Sequence, residues 1–96
     1  MALYITLMNF TEQGIKNIKE SPARVDAARE MMAGIGAELK AFYLTMGSYD
    51  AVAVTEAPSD EVAAKIALTV GAGGNARTLT MRAFDEAAYR EIIAGL

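Results

Sequence analysis

Residues 45–54 read TMGSYDAVAV. Gly47-Ser48 is a turn pair of the kind that joins two antiparallel strands, and a two-residue loop opened by glycine suits a type II′ hairpin. Strand formers flank it: residues 37–46 (AELKAFYLTM) lead in and residues 51–57 (AVAVTEA) lead out. Such a turn opposes Thr45 to Asp50, Tyr43 to Val52 and Ala41 to Val54 on one face. It sets Met46 against Tyr49, Leu44 against Ala51 and Phe42 against Ala53 on the other. A loop of odd length would exchange the faces of one strand, and in either register both faces are substantially apolar. A sheet wetted on one side would alternate cleanly. Something must cover the second face, and another copy of the chain is the simplest cover. Asp50 is the odd residue in this stretch, because Asp is depleted in strands.

Outward from the hairpin, residues 3–10 (LYITLMNF) form a first strand. Thr11 is placed to cap a short helical stretch starting at Glu12. Ser21-Pro22 reads as an N-cap followed by proline at the first helical position. The helix it opens runs to about Ile35, with Val25, Ala28, Met32 and Ile35 on one face and Gly34 and Gly36 ending it. After the hairpin, Pro58, Ser59 and Asp60 open another helix with Val62, Ile66 and Val70 facing inward. Gly71–Gly74 closes it. Residues 76–84 form a fourth strand, and Asp85 caps a final helix in which Glu86 and Arg90 pair at i,i+4. The order β-α-β-β-α-β with a C-terminal helix is the α+β, ferredoxin-like arrangement. A four-stranded antiparallel sheet in the order 4-1-3-2 is expected, with two helices on one face.

The 96 residues make one domain, 1–96, with 53% apolar residues. The usual share is about 45–50%. A domain this small buries only about 60–70% of its unfolded surface, so the surplus points to a homodimer or higher oligomer. The net charge is −3, from nine basic and twelve acidic residues. No basic stripe is present, so nucleic acid is not an expected partner. Residues 1–8 are apolar but too short to span a bilayer. No membrane association is expected, and a cytoplasmic location follows.

Cysteine and histidine are both absent. That excludes disulfides, thiolate or imidazole metal ligands, a Ser-His-Asp arrangement and histidine-ligated haem. A metal site would have to be built of carboxylates. Asp26 and Glu30, and Asp60 and Glu61, read instead as solvated surface and helix-start charge. No metal and no cofactor are expected. Gly71–Asn75 is no phosphate loop, because it follows a helix rather than opening one. Met31, Met32, Met46 and Met81 read as core filler, and Tyr4 and Tyr43 as packed residues with their hydroxyls satisfied at the edge.

Two segments, GSYDAVAVTEAPSDEVA (47–63) and GAGGNARTLTMRAF (71–84), carry a pattern. They resemble the GYD family, named for its Gly-x-Tyr-Asp signature. Gly47, Tyr49 and Asp50 fill the signature; Asn75, Arg77 and Thr78 fit the later segment, with Ala76 where valine is expected. The resemblance covers nearly the whole chain. It implies a dimeric α/β barrel, in which two sheets pack face to face, and it assigns no catalytic residue.

Topology gathers the polar groups. The first strand ends, the hairpin turns and the fourth strand begins at one end of the sheet, so Asn9, Tyr49, Asp50, Asn75 and Arg77 should converge there. One strand separates Asp50 from Arg77, a span of roughly 10 Å that an arginine can bridge directly or through water. The cluster reads either as a pin holding the hairpin to the sheet edge or as the mouth of a site for a small polar or anionic ligand. Two functions lead here, beside a third, an assembly module with no ligand. One is a homo-oligomeric module that binds a small ligand or a protein. The other is a cofactor-free enzyme of the monooxygenase or isomerase type, with Asp50 and Tyr49 as the only acid–base candidates.

Overall fold

The computed structural model describes residues 1–96. Strand β1 (Ala2–Phe10) leads into the one-turn helix α1 (Glu12–Lys16), a 3₁₀ turn (Ile18–Glu20) and α2 (Ser21–Gly34). The hairpin β2 (Glu38–Leu44) and β3 (Ala51–Ala57) follows, then α3 (Asp60–Ala72), β4 (Ala76–Ala83) and α4 (Glu86–Ala94). The sheet order is β2-β3-β1-β4 and every neighbouring pair is antiparallel. This is the expected ferredoxin-like α+β fold with its terminal helix.

Three caps act as the sequence implies. Thr11 accepts from the Gly14 N–H at 3.1 Å, Ser59 from Val62 at 3.3 Å and Asp85 from Ala88 at 2.8 Å. Each satisfies an orphan donor of a first helical turn. Glu86 and Arg90 pair at 2.8 Å. Ser21 differs from expectation. The 3₁₀ turn runs directly into α2, so Ser21 is already helical (φ −55°, ψ −43°) and Glu20 takes the cap position without a side-chain bond. Ile35 lies past the last turn of α2 and is exposed, so it does not share the inward face of Met32.

The hairpin keeps its register: Leu44 opposes Ala51, Tyr43 Val52, Phe42 Ala53 and Ala41 Val54, before an irregularity at Lys40. Its turn is wider than two residues. The Thr45 N–H donates to the Asp50 carbonyl at 2.8 Å and closes the ladder. Residues 46–49 then loop beyond it, with Gly47 at φ +109°. The Thr45 hydroxyl donates to the Tyr49 carbonyl at 2.6 Å, which takes that carbonyl out of any narrower turn. Met46 is consequently exposed at the tip and fills no core.

Helix α2 packs on β2, and α3 on β4 and β3. In β3 every second residue is buried: Ala51, Ala53, Thr55 and Ala57 face the helices, while Val52, Val54 and Glu56 face away. The central strand β1 buries only Tyr4. Only 11 of 96 residues are buried in all, so most apolar side chains stay on the surface. The radius of gyration is 14.3 Å, against about 12.5 Å for a compact chain of this length. The thinnest extent, 17 Å, leaves one helical layer on one face of the sheet and nothing on the other.

Candidate functional site

Strand pairing sets three of the five anticipated residues at one end of the sheet. Asn9 on β1 lies directly opposite Arg77 on β4, and antiparallel partners share a face. On the other side of β1, the Asp50 N–H donates to the Met8 carbonyl at 2.8 Å, and the Asp50 carboxylate accepts the Phe10 N–H at 2.9 Å. Asp50 therefore grips the backbone on both sides of Asn9. It forms no ion pair with Arg77. The three ion pairs of the chain are Arg29–Asp26, Lys40–Glu38 and Arg90–Glu86, all exposed. The reason is geometric: β1 lies between the two residues and offers an N–H at hydrogen-bonding distance. Tyr49 is half-buried beside this end, its carbonyl held by Thr45.

Asn75 works on a neighbouring joint. Its carbonyl accepts from the Thr11 N–H at 3.1 Å, and its side-chain oxygen accepts from Gln13 Nε2 at 3.0 Å. The Thr11 hydroxyl donates to the Gly74 carbonyl at 2.6 Å. These bonds tie α1 to the loop after α3. The approach is close enough to demand glycine: a Cβ on Gly14 would lie 2.0 Å from the Asn75 carbonyl oxygen. Gly14 was not legible as a special residue, because helix glycines in a sequence carry no mark of what passes beside them.

A second feature has no counterpart among the anticipated residues, Asn75 excepted. Helices α2 and α3 straddle β1 and leave a pocket of about 170 Å³ between themselves and the sheet. Its floor is the helix-side row of β1 (Tyr4, Thr6, Met8 and Phe10) with Ala53 and Thr55 of β3 and Thr78 and Thr80 of β4. Its walls are Arg24, Val25, Ala28 and Met32 of α2 and Ala63, Ile66, Ala67 and Val70 of α3. Small side chains keep it open, since Ala28, Ala53, Ala63 and Ala67 stand where larger residues would meet. Neither Asp50 nor Tyr49 lines it.

Tyr4 closes the far end of the pocket, with its hydroxyl donating to the Asp60 carboxylate. That hydrogen bond, with burial of the ring and the negative charge of Asp60, raises the Tyr4 pKa above its ordinary value of 10.0. The Arg82 guanidinium lies 4.5 Å from the Phe84 ring centre and 5.8 Å from that of Tyr4, and it opposes the rise. No three acidic side chains are grouped to hold a metal ion. No helix is long and apolar enough to cross a membrane.

The open face of the sheet carries Leu3, Ile5, Leu7, Tyr43, Val52, Val54, Leu79 and Met81, none of them buried. Helix α4 adds a second uncovered surface. Tyr89, Ile92 and Ile93 fall at i, i+3 and i+4, and all three are exposed, as are Phe84 before the helix and Leu96 past its end.

Known proteins of similar sequence and fold bear on this geometry. A protein of Thermus thermophilus named glutamine synthetase and cystathionine beta-lyase binding protein is 28% identical over 88 residues, covering 91% of this chain and 93% of that protein. The crystal structure of TTHA0845, also from Thermus thermophilus, shares the fold, with a TM-score of 0.55 at 23% identity, over 88% of this chain and 95% of that one. The family model of the GYD domain matches residues 4–93, so the chain belongs to the GYD domain family.

Proposed function

We propose that this protein is an interaction module that works as a homodimer, with the open faces of two sheets packed together and protein partners held by the assembly. The observation that carries the reading is the uncovered apolar face. Four strands about 4.8 Å apart, each about seven residues at about 3.3 Å, give a face of roughly 19 by 23 Å, or about 440 Å². Asn9, Glu56 and Arg77 occupy its margins, so its apolar part is smaller and lies within the range of the largest apolar patch a typical monomer exposes, about 300–600 Å². The stripe on α4 takes the exposed surface beyond it. A nine-residue helix does not hold itself in water without a packed face. A second copy supplies cover for both surfaces at once, and a two-fold axis needs no further surface.

The name of the Thermus relative, glutamine synthetase and cystathionine beta-lyase binding protein, supports a protein-binding role for this chain. Catalysis by Asp50 or Tyr49 is less well supported. The Asp50 carboxylate is engaged by a backbone N–H, and neither residue borders the pocket. The test is calorimetric titration of the protein against purified glutamine synthetase and cystathionine beta-lyase from the same source. Saturable binding to at least one is expected, and absence of heat with both at concentrations that saturate ordinary micromolar complexes would overturn the partner assignment.

A further inference from the structure

The pocket between sheet and helices points to a second capacity, independent of the self-association above. We infer that it is a binding site for a small, mainly apolar molecule, about the size of a substituted benzene ring, that carries one anionic group. The size follows from comparison. The pocket measures about 170 Å³, and an apolar cavity of about 150 Å³ in another protein accommodates benzene. Its lining is apolar apart from a few polar side chains that converge on it, the composition typical of small-molecule sites.

Two of those polar groups give the ligand its character. Thr55 is only 5% exposed and lines the pocket. Its hydroxyl has no partner among the side-chain hydrogen bonds of the chain. No fully enclosed side-chain polar atom of the protein lacks a partner, so this hydroxyl opens into the pocket. Arg24 stands on the first turns of α2, where two of its donors reach the Asn17 and Gly14 carbonyls at 3.1 and 3.4 Å. No carboxylate pairs with it; the ion pairs of the chain all lie elsewhere. A guanidinium held in place by two carbonyls keeps three N–H donors and favours an anion over a cation. The apolar body of the ligand then lies against Met8, Met32 and Ile66.

Benzoate, benzyl alcohol and benzylammonium test this by amide chemical-shift titration of the full chain. Benzoate is expected to bind saturably with a Kd of about 0.1–1 mM, shifting the Ala53, Thr55, Ala63 and Ile66 amides. Benzylammonium should bind at least about fivefold more weakly. Arg24→Gln should weaken benzoate about fivefold, a modest factor because the arginine is partly exposed, and leave benzyl alcohol unchanged. Ala67→Leu fills the pocket and should abolish all binding. Ala28→Leu fills it from the other helix and serves where the first variant is misfolded. No saturable shift at those four amides with benzoate, or equal binding in a folded filled variant, would overturn the site. Equal affinities for the three probes would overturn its anionic preference.

Discussion

The carboxylate of Asp50 accepts the backbone N–H of Phe10 at 2.9 Å. An unbroken ladder would offer Phe10 a main-chain carbonyl, but that of Tyr49 is turned to the Thr45 hydroxyl. The Asp50 side chain takes its place, and the Asp50 N–H holds the Met8 carbonyl at 2.8 Å. Asp is a poor strand residue in general. Here it extends the pairing of β3 with β1 by one further bond at the point where the hairpin leaves the sheet.

Replacing Asp50 separates this role from an electrostatic one. Asp50→Ala leaves the Phe10 N–H without an acceptor in a half-buried place and should cost about 1–3 kcal/mol. Asp50→Asn keeps an oxygen there and should cost less than about 1 kcal/mol. Because no ion pair joins Asp50 to Arg77, the cycle of Asp50→Asn with Arg77→Met should be additive within about 0.5 kcal/mol. Urea midpoints of the four proteins measure all three. A coupling above about 1 kcal/mol would show that the two charges communicate.

Gly14 and Gly34 should respond oppositely to alanine. At Gly14 the new Cβ would meet the Asn75 carbonyl at 2.0 Å, while at Gly34 nothing lies within 4 Å. Backbone cannot swing aside as a side-chain end can, so Gly14→Ala should cost about 1–3 kcal/mol. Gly34→Ala, in the last turn of α2, should be neutral or stabilise by up to about 1 kcal/mol. Thermal melts of the two variants decide it, and equal shifts would contradict the close approach.

Alkaline stability is expected to depend on Tyr4. Its pKa is raised in the fold above the ordinary 10.0, so the unfolded chain loses this proton first as pH rises. The contribution is therefore fully present below pH 10 and is lost as pH climbs through the raised value. Urea midpoints across the alkaline range should fall above pH 10 in the wild type. Tyr4→Phe should flatten that part of the decline, and an unchanged slope would show that another group sets it.

Much of the fold was legible because its signals are local. Thr11, Ser59 and Asp85 stand directly before the helices they cap. The hairpin register held because a loop of four residues, like one of two, is even and leaves Tyr43 opposite Val52 and Ala41 opposite Val54. Ser21 misled because capping depends on the residue before it leaving the helical region, and the 3₁₀ turn does not leave it. The partner of Asp50 was hidden because a backbone N–H has no signature in a sequence, whereas Arg77 has one. The pocket was hidden for a different reason. Arg24, Thr55, Ala63 and Thr80 lie on four separate elements, and each reads locally as an ordinary helix or strand residue. Only the straddling of β1 by α2 and α3 brings them to one space.

In the proposed homodimer a second copy of the chain covers the open sheet face. Sedimentation equilibrium of the wild type and of Ile5→Glu, at low micromolar concentration, tests it most directly. Ile5 sits mid-face, opposite Val54 on one side and Met81 on the other, and a buried unpaired carboxylate there would cost several kcal/mol. A dimer with no detectable monomer is expected for the wild type, and a folded monomer for Ile5→Glu. A wild-type chain that sediments as a stable, folded monomer would contradict the proposal, as would an Ile5→Glu variant that dimerises as tightly as the wild type.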